Sequence, residues 1–166
     1  GYTPCFRREA GSYGSDVRGL NRLHQFDKVE IVRIEEPSKS YEVLDEMVEH
    51  VKNLLLELEL PFRIVRLCGG DLGFTSSLTY DFEVYSMGQN KWLEVSSVSN
   101  FESFQSNRLN LKIDLGDKIK NYAHTLNGSS LALPRIVACI LENFQEKDYI
   151  NIPVSYTHLT LPTIRT

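Results

Sequence analysis

The sequence predicts an α+β domain with an antiparallel sheet, and three observations carry that reading. Strand-like runs are joined by short turn signals. Two stretches repeat apolar residues at three- and four-residue spacing, and those stretches stand apart from the strand runs. No internal repeat is present.

Residues 3–9 and 24–34 read as two strands around a loop, residues 10–23, rich in Gly, Ser and Arg, with Gly11, Gly14 and Gly19 marking turns. Pro37 and Ser38 stop the second strand and open a helix. Its apolar stripe runs through Val43, Leu44, Met47, Val48, Val51, Leu54, Leu55 and Leu58, and Glu42, Asp45, Glu46, Glu49 and Lys52 form its outer face. Residues 62–67 make a short apolar strand that ends at Cys-Gly-Gly-Asp, before the turn-rich segment 69–77. Residues 79–85 and 91–97 pair as a hairpin across Ser-Met-Gly-Gln-Asn. The polar segment 101–120 is expected to be a mobile surface stretch with some helix. Residues 122–126 are expected to form a strand that Gly128 breaks. A last helix carries Leu133, Ile136, Val137, Ile140, Leu141 and Phe144, with Pro134 in the first turn, where its missing N–H costs nothing.

The 166 residues suit one domain, at ~100–200 residues per domain. Hydrophobic residues at 42% and charged residues at 24% exclude wholesale disorder, collagen and coiled-coil rods. Eighteen Lys and Arg against 22 Asp and Glu give a net charge of −4, so no global positive field draws the chain to nucleic acid or anionic lipid. Any such binding must be local. The longer apolar stretches, such as residues 136–141, fall far short of the ~20 residues that span a bilayer. The first residues hold neither an initiator Met nor an apolar signal region, so the chain is expected to begin mid-protein. Cys5, Cys68 and Cys139 form no C-x-x-C pair and have no His at zinc spacing, which points to a reduced, cytoplasmic protein without structural zinc. Each is expected as a small buried hydrophobe.

Strand alternation puts Cys5, Arg7 and Glu9 on one face of the first strand, and Phe26, Lys28, Glu30, Val32 and Ile34 on one face of the second. If those faces coincide, they suit a ligand holding a phosphate, an amine and a flat base. Arg grips phosphate with a planar fork, Glu accepts from the amine, and Phe stacks on the base. Cross-strand charge pairing on a solvated face is the other reading. Arg135 lies in the first turn of the last helix, where a cation meets the positive end of the dipole. It makes sense there if an anion binds in front of the helix; otherwise it pairs with a carboxylate or hangs in solvent. Asp81, Glu83, Glu94, Ser96 and Ser97 supply the oxygens Mg²⁺ takes when it bridges nucleotide phosphates. Strict alternation separates Ser97 from Glu94, so using both requires a bulge or a strand end.

At these residues the chain resembles the C-terminal part of the catalytic domain of bacterial-type seryl-tRNA synthetases, from motif 2 through motif 3. Residues 3–14, with Asp16-Val-Arg-Gly-Leu-Asn-Arg-Leu-His-Gln-Phe-Asp-Lys-Val-Glu30, look like motif 2 of this class II aminoacyl-tRNA synthetase family. His124-Thr-Leu-Asn-Gly-Ser-Ser-Leu-Ala-Leu-Pro-Arg135 looks like motif 3, and Leu93-Glu-Val-Ser-Ser-Val-Ser-Asn100 like the segment between them. The resemblance implies the antiparallel sheet of the class II catalytic core with flanking helices, incomplete in this chain. It implies a serine–tRNA ligase that makes seryl-adenylate from serine and ATP and transfers the seryl group to the 3′ end of tRNA(Ser). By position, Arg7 would grip the α-phosphate and the substrate carboxylate, Glu9 would lie near the adenine, and Phe26 would stack on it. Glu30, Asn127 and Ser129 would bind serine, Glu94 and Ser97 would hold Mg²⁺ and ATP, and Arg135 would pair with the γ-phosphate. Arg8, Arg18 and Arg22 would reach toward the tRNA acceptor end.

The family's helical hairpin, motif 1 and Thr-Ala-Glu serine loop lie upstream of motif 2 and are not among these residues. The fragment is therefore expected to be inactive alone. The homodimer of the full-length family is not expected to extend to it, because motif 1 supplies much of that interface. Residues 1–153 read as the C-terminal portion of the catalytic domain, and 154–166 as a non-native, adapter-like tail where the family continues Leu-Arg-Pro-Tyr. Two other readings are a non-catalytic synthetase-like module that binds nucleotide or RNA, and a truncated reading frame without a stable fold. A lapsed enzyme would be expected to lose members of the set Arg7, Glu30, Glu94, Ser97 and Arg135, and all five are present.

Overall fold

Six strands form one antiparallel sheet in the computed structural model, which describes residues 1–8, 19–114, 116 and 120–157. In chain order they are β1 (Tyr2–Phe6), β2 (Gln25–Glu35), β3 (Phe62–Arg66), β4 (Leu78–Ser86), β5 (Lys91–Asn100) and β8 (His124–Ala132). Across the sheet the order is β1-β2-β8-β5-β4-β3, and a separate ribbon pairs β6 (Lys112–Ile113) with β7 (Asn121–Tyr122). Most of the glycine-rich loop, with Glu9 and Arg18, lies outside the described residues.

One face of the sheet is covered by α1 (Ser40–Glu57) and α3 (Leu133–Asn143), the two helices expected from periodicity. Leu44, Val51 and Leu55 from α1 meet Phe82, Val98 and Leu126 from the sheet and Ile136 and Cys139 from α3, all at 0–1% exposure. Each such apolar side chain contributes roughly 1.5–3 kcal/mol by leaving water. The other face stays open and carries the polar residues. Ser40 ties the start of α1 to the sheet: its Oγ lies 2.7 Å from His124 Nδ1 and accepts from Asn100 Nδ2 at 3.1 Å. At the far end of α1, Glu59 takes a left-handed φ of 55°, and the chain turns toward β3.

Two local expectations are corrected and a third is filled in. Gly128 does not break a strand; it sits inside β8, opposite Val98 on β5 and Ile31 on β2. A Cβ added there would come within 2.8 Å of Val98 Cγ2 and 3.1 Å of its Cα, so glycine permits the close approach of β5 and β8. Segment 101–120 holds the helix expected of it, α2 (Phe104–Leu109), together with β6. Thr125 Oγ1 on β8 donates to Gln105 Oε1 at 2.7 Å, which fastens α2 to the sheet. Of the three cysteines only Cys139 is buried; Cys68 is exposed in a turn that no core element covers. Among the described residues no helix is long and apolar enough to cross a membrane. A last helical turn, α4 (Val154–Thr157), lies against the end of α1, where Ser155 Oγ donates to the Glu57 carbonyl at 2.7 Å.

Candidate active site

The β4–β5 ladder slips by one residue between Phe82 and Glu83. Phe82 faces Ser96 and Glu83 faces Glu94, leaving Val95 as the extra residue. This bulge brings Ser97, opposite Asp81, to the same face as Glu94, opposite Glu83. It is the irregularity that alternation demanded if both residues were to serve one ligand.

Across the sheet, Cys5 pairs with Phe26, and the Arg7 N–H donates to the His24 carbonyl at 2.8 Å. Arg7 and Phe26 therefore share the open face, with the Arg7 guanidinium carbon 4.7 Å from the centre of the Phe26 ring. A second irregularity sits between Lys28 and Glu30, which pair with Ala132 and Ser129 of β8. Leu131, inside it, adopts a left-handed φ of 88° while buried, a conformation that costs about 1–3 kcal/mol. The turn it makes leads directly into α3, whose first turn bears Pro134 and Arg135.

Among the described residues Arg135 pairs with no carboxylate side chain; backbone carbonyls hold it instead. Its Nε donates to the Asn21 carbonyl at 3.1 Å and its Nη1 to the Glu94 carbonyl. Burial lowers its pKa; Glu94 opposes this, and the nearby charges of Arg7 and Arg22 push the same way as burial. An anion among these three cations would replace repulsion with attraction.

Facing them is an acidic corner. Burial raises the pKa of Glu94, Asp81 adds to that, and Arg135 and Arg7 counter it. Burial raises Asp81 as well, opposed by a hydrogen bond with Ser97 and reinforced by Glu83. Asp81 Oδ1 is buried and, among the described residues, has no hydrogen-bond partner. Glu83 is engaged by Arg63, which also lies over the Trp92 ring at 4.6 Å. Among the described residues no three His, Cys, Asp or Glu side chains converge as a metal cage of their own. Glu94, Ser97 and the orphaned Asp81 oxygen instead fit a cation that brings phosphate oxygens and water with it, as Mg²⁺ does.

One cleft is lined by Arg7, Phe26, Arg135, Glu94, Ser97 and Ser129, and Arg22 also borders it. Glu30 stands behind this lining, where it accepts from Ser129 Oγ at 3.2 Å and pairs with Lys28 Nζ at 3.0 Å. Asn127 lies on the same face two residues further along β8, opposite Val32 and Ser99, and does not line the cleft. Arg8 is exposed beyond the end of β1. The resemblance implied no role for three groups that belong here. Alternation already put Lys28 on the face of Phe26 and Glu30 and Asp81 among the candidate Mg²⁺ oxygens. The Asn21 contribution is a backbone carbonyl and leaves no side-chain signal.

The fold is that of a class II synthetase core, an antiparallel sheet with its cleft on the open face and its helices behind. The family model of the tRNA synthetase class II core domain (G, H, P, S and T) matches residues 1–144, and the chain belongs to that family. A serine–tRNA ligase of Salinibacter ruber is 59% identical over 148 residues, 89% of this chain and 35% of the relative. One of Methylacidiphilum infernorum is 58% identical over 147 residues, with 89% and 35% covered. The crystal structure of seryl-tRNA synthetase from Pyrococcus horikoshii complexed with ATP superposes with a TM-score of 0.89 at 42% identity, over 94% of this chain and 36% of that one. The cytoplasmic serine–tRNA ligase of Naegleria fowleri in complex with AMP gives 0.87 at 32% identity, over 95% and 38%. The chain thus spans about 35% of the length of the curated relatives it matches.

Proposed function

We propose that this chain provides the nucleotide-binding part of a serine–tRNA ligase, which joins serine to ATP as seryl-adenylate and passes the seryl group to tRNA(Ser). The observation that carries this reading is the meeting of Arg7, Phe26 and Arg135 with Glu94 and Ser97 in one cleft. In it, Phe26 stacks on the adenine with Glu9 beside it, Arg7 holds the α-phosphate and the serine carboxylate, and Arg135 holds the γ-phosphate. The Arg7 guanidinium that covers Phe26 moves onto phosphate when a base takes its place. Glu30, oriented by Lys28 and Ser129, accepts from serine, with Asn127 further along the same face. Arg8, Arg18 and Arg22 face the tRNA end.

Catalysis in this reading is positioning and charge stabilisation. A serine carboxylate oxygen attacks the α-phosphorus, and the bond from that phosphorus to the pyrophosphate oxygen breaks. The terminal ribose hydroxyl of tRNA then attacks the seryl carbonyl, and AMP departs with its oxygen. Arg7 and Arg135 bear on the charge that develops, and no side-chain nucleophile takes part. Mg²⁺, held through Glu94 and Ser97, supplies further neutralisation of the phosphates when bound. Residues 1–153 carry this portion of the catalytic domain, and the setting is the cytoplasm.

The test is serine-dependent ATP–pyrophosphate exchange by a chimera in which these residues replace the matching part of the Salinibacter relative. Exchange with serine, cut at least 100-fold by Arg135→Ala, is expected. Equal exchange with alanine or threonine, or an Arg135→Ala chimera near the parent rate, would overturn the assignment.

A further inference from the structure

The Asn21 carbonyl holds Arg135, and the Asn21 side chain is held in turn by a residue that does not line the cleft. Gln89, at the tip of the β4–β5 hairpin, exchanges two hydrogen bonds with the side chain of Asn21: Asn21 Nδ2 donates to Gln89 Oε1 at 2.5 Å, and Gln89 Nε2 donates to Asn21 Oδ1 at 3.2 Å. The same Nε2 donates to Glu142 Oε1 at 2.9 Å, so both N–H donors of the amide are used. The Gln89 backbone N–H donates to Ser86 Oγ at 3.1 Å, and that hydroxyl donates to the other Glu142 oxygen. Glu142 and Arg135 lie seven residues apart on one face of α3. Arg135 bonds the carbonyl of Asn21 while Glu142, through Gln89, holds its side chain.

These contacts close a ring that runs from α3 through the hairpin tip to Asn21 and back to α3. The ring bridges residues 68 apart in the chain, and its members are partly buried, so neither side chain gains by turning to solvent. The Asn21 carbonyl takes Nε of Arg135 and the Glu94 carbonyl takes Nη1, and the residue so held lines the cleft. From this geometry we infer that Gln89 is a positioning residue: it sets the Asn21 carbonyl that aims Arg135 at the terminal phosphate of ATP. The inference rests on the phosphate-binding role proposed for Arg135, and it adds the hairpin tip, remote from the substrate, as a determinant of triphosphate binding.

The ring predicts slowed solvent exchange of the Arg135 Nε–H, which nitrogen-15 NMR reads in the ligand-free 166-residue chain. In Gln89→Ala, and in Asn21→Ala, which keeps the carbonyl but loses its clamp, exchange is expected to quicken at least tenfold. The double variant should be no faster than either single one. Gln89→Glu keeps the size of the side chain but sets a second carboxylate against Glu142, and it should behave like Gln89→Ala, whereas a mere space-filling role would leave it like the parent. Calorimetry with MgATP and with AMP gives the second readout: affinity for ATP falls about tenfold in these variants and that for AMP by less than twofold. Unchanged Nε–H exchange in Gln89→Ala and Asn21→Ala overturns the positioning role. If Arg135→Ala binds ATP like the parent, the phosphate-binding role of Arg135 fails, and the exchange rates still decide the clamp by themselves. Asn21→Ala, with its change confined to one short side chain, decides the matter should Gln89→Ala not fold.

Discussion

The guanidinium of Arg7 sits over the ring of Phe26, 4.7 Å from its centre, although Phe26 lies in β2 and Arg7 just past the end of β1. The β1–β2 register makes this pairing, because it carries Arg7 past the Cys5–Phe26 pair on the same face. At a partly exposed site such a cation–π contact contributes about 0.5–1 kcal/mol, less than the roughly 1–3 kcal/mol of a base stacked on an aromatic ring. A base therefore displaces the arginine with a net gain.

From that balance, Phe26→Ala is expected to weaken ATP binding about tenfold while Phe26→Tyr stays within about twofold of the parent. The melting temperature should change little, because Phe26 lies outside the buried core. Calorimetric titration with ATP, paired with a thermal melt, measures both.

Gly128→Ala is expected to destabilise the fold by about 2–3 kcal/mol. The new Cβ would lie 2.8 Å from Val98 Cγ2 and 3.1 Å from Val98 Cα, and the second of these is backbone that cannot turn aside. Chemical denaturation reads the loss directly. A variant as stable as the parent would show that β5 and β8 can separate without cost.

The stability of the α1–sheet junction should depend on pH through His124. Burial holds its pKa below the ordinary 6.5, opposed by the charge of Glu102. The folded state therefore favours the neutral ring, whose Nδ1 shares a hydrogen bond with Ser40 Oγ at 2.7 Å. Its contribution is complete above pH 6.5, the unfolded value, and is lost as pH falls from there through the lower folded value. Melting temperatures measured downward from pH 7 should show this fall, and His124→Gln should flatten that part of the profile.

The cysteines should divide by reactivity. Burial pushes the Cys139 thiol up to about 12, so it holds almost no thiolate at neutral pH, and its side chain is sealed between α3 and the sheet. Iodoacetamide is expected to label exposed Cys68 in the native protein and Cys139 only after denaturation, with mass spectrometry locating the adducts. Native labelling of Cys139 would show that α3 opens readily.

Much of the fold was legible because its signals are local. The stripe from Val43 to Leu58 has the period of a helix whatever it packs on, and the hairpin around residues 86–90 announces itself by its turn residues. Gly128 was misread for the opposite reason. A glycine that ends a strand and one that lets a neighbouring strand pass close look the same until Val98 is beside it. Within 101–120 the helix was legible but its anchorage was not, since the Gln105–Thr125 bond that fastens α2 to the sheet joins distant residues.

The sequence by itself determined the α+β class, the two covering helices, the candidate residues and, through motifs 2 and 3, the family. Those features depend on residue type and on spacing along the chain. Tertiary structure alone decided how the candidates meet. The Val95 bulge turns Glu94 and Ser97 to one face, the β1–β2 register stacks Arg7 on Phe26, and the Asn21 carbonyl takes Arg135. A one-residue slip moves a side chain to the other side of a sheet, and a backbone carbonyl has the same chemistry at every position. Neither can be read until the strands are paired.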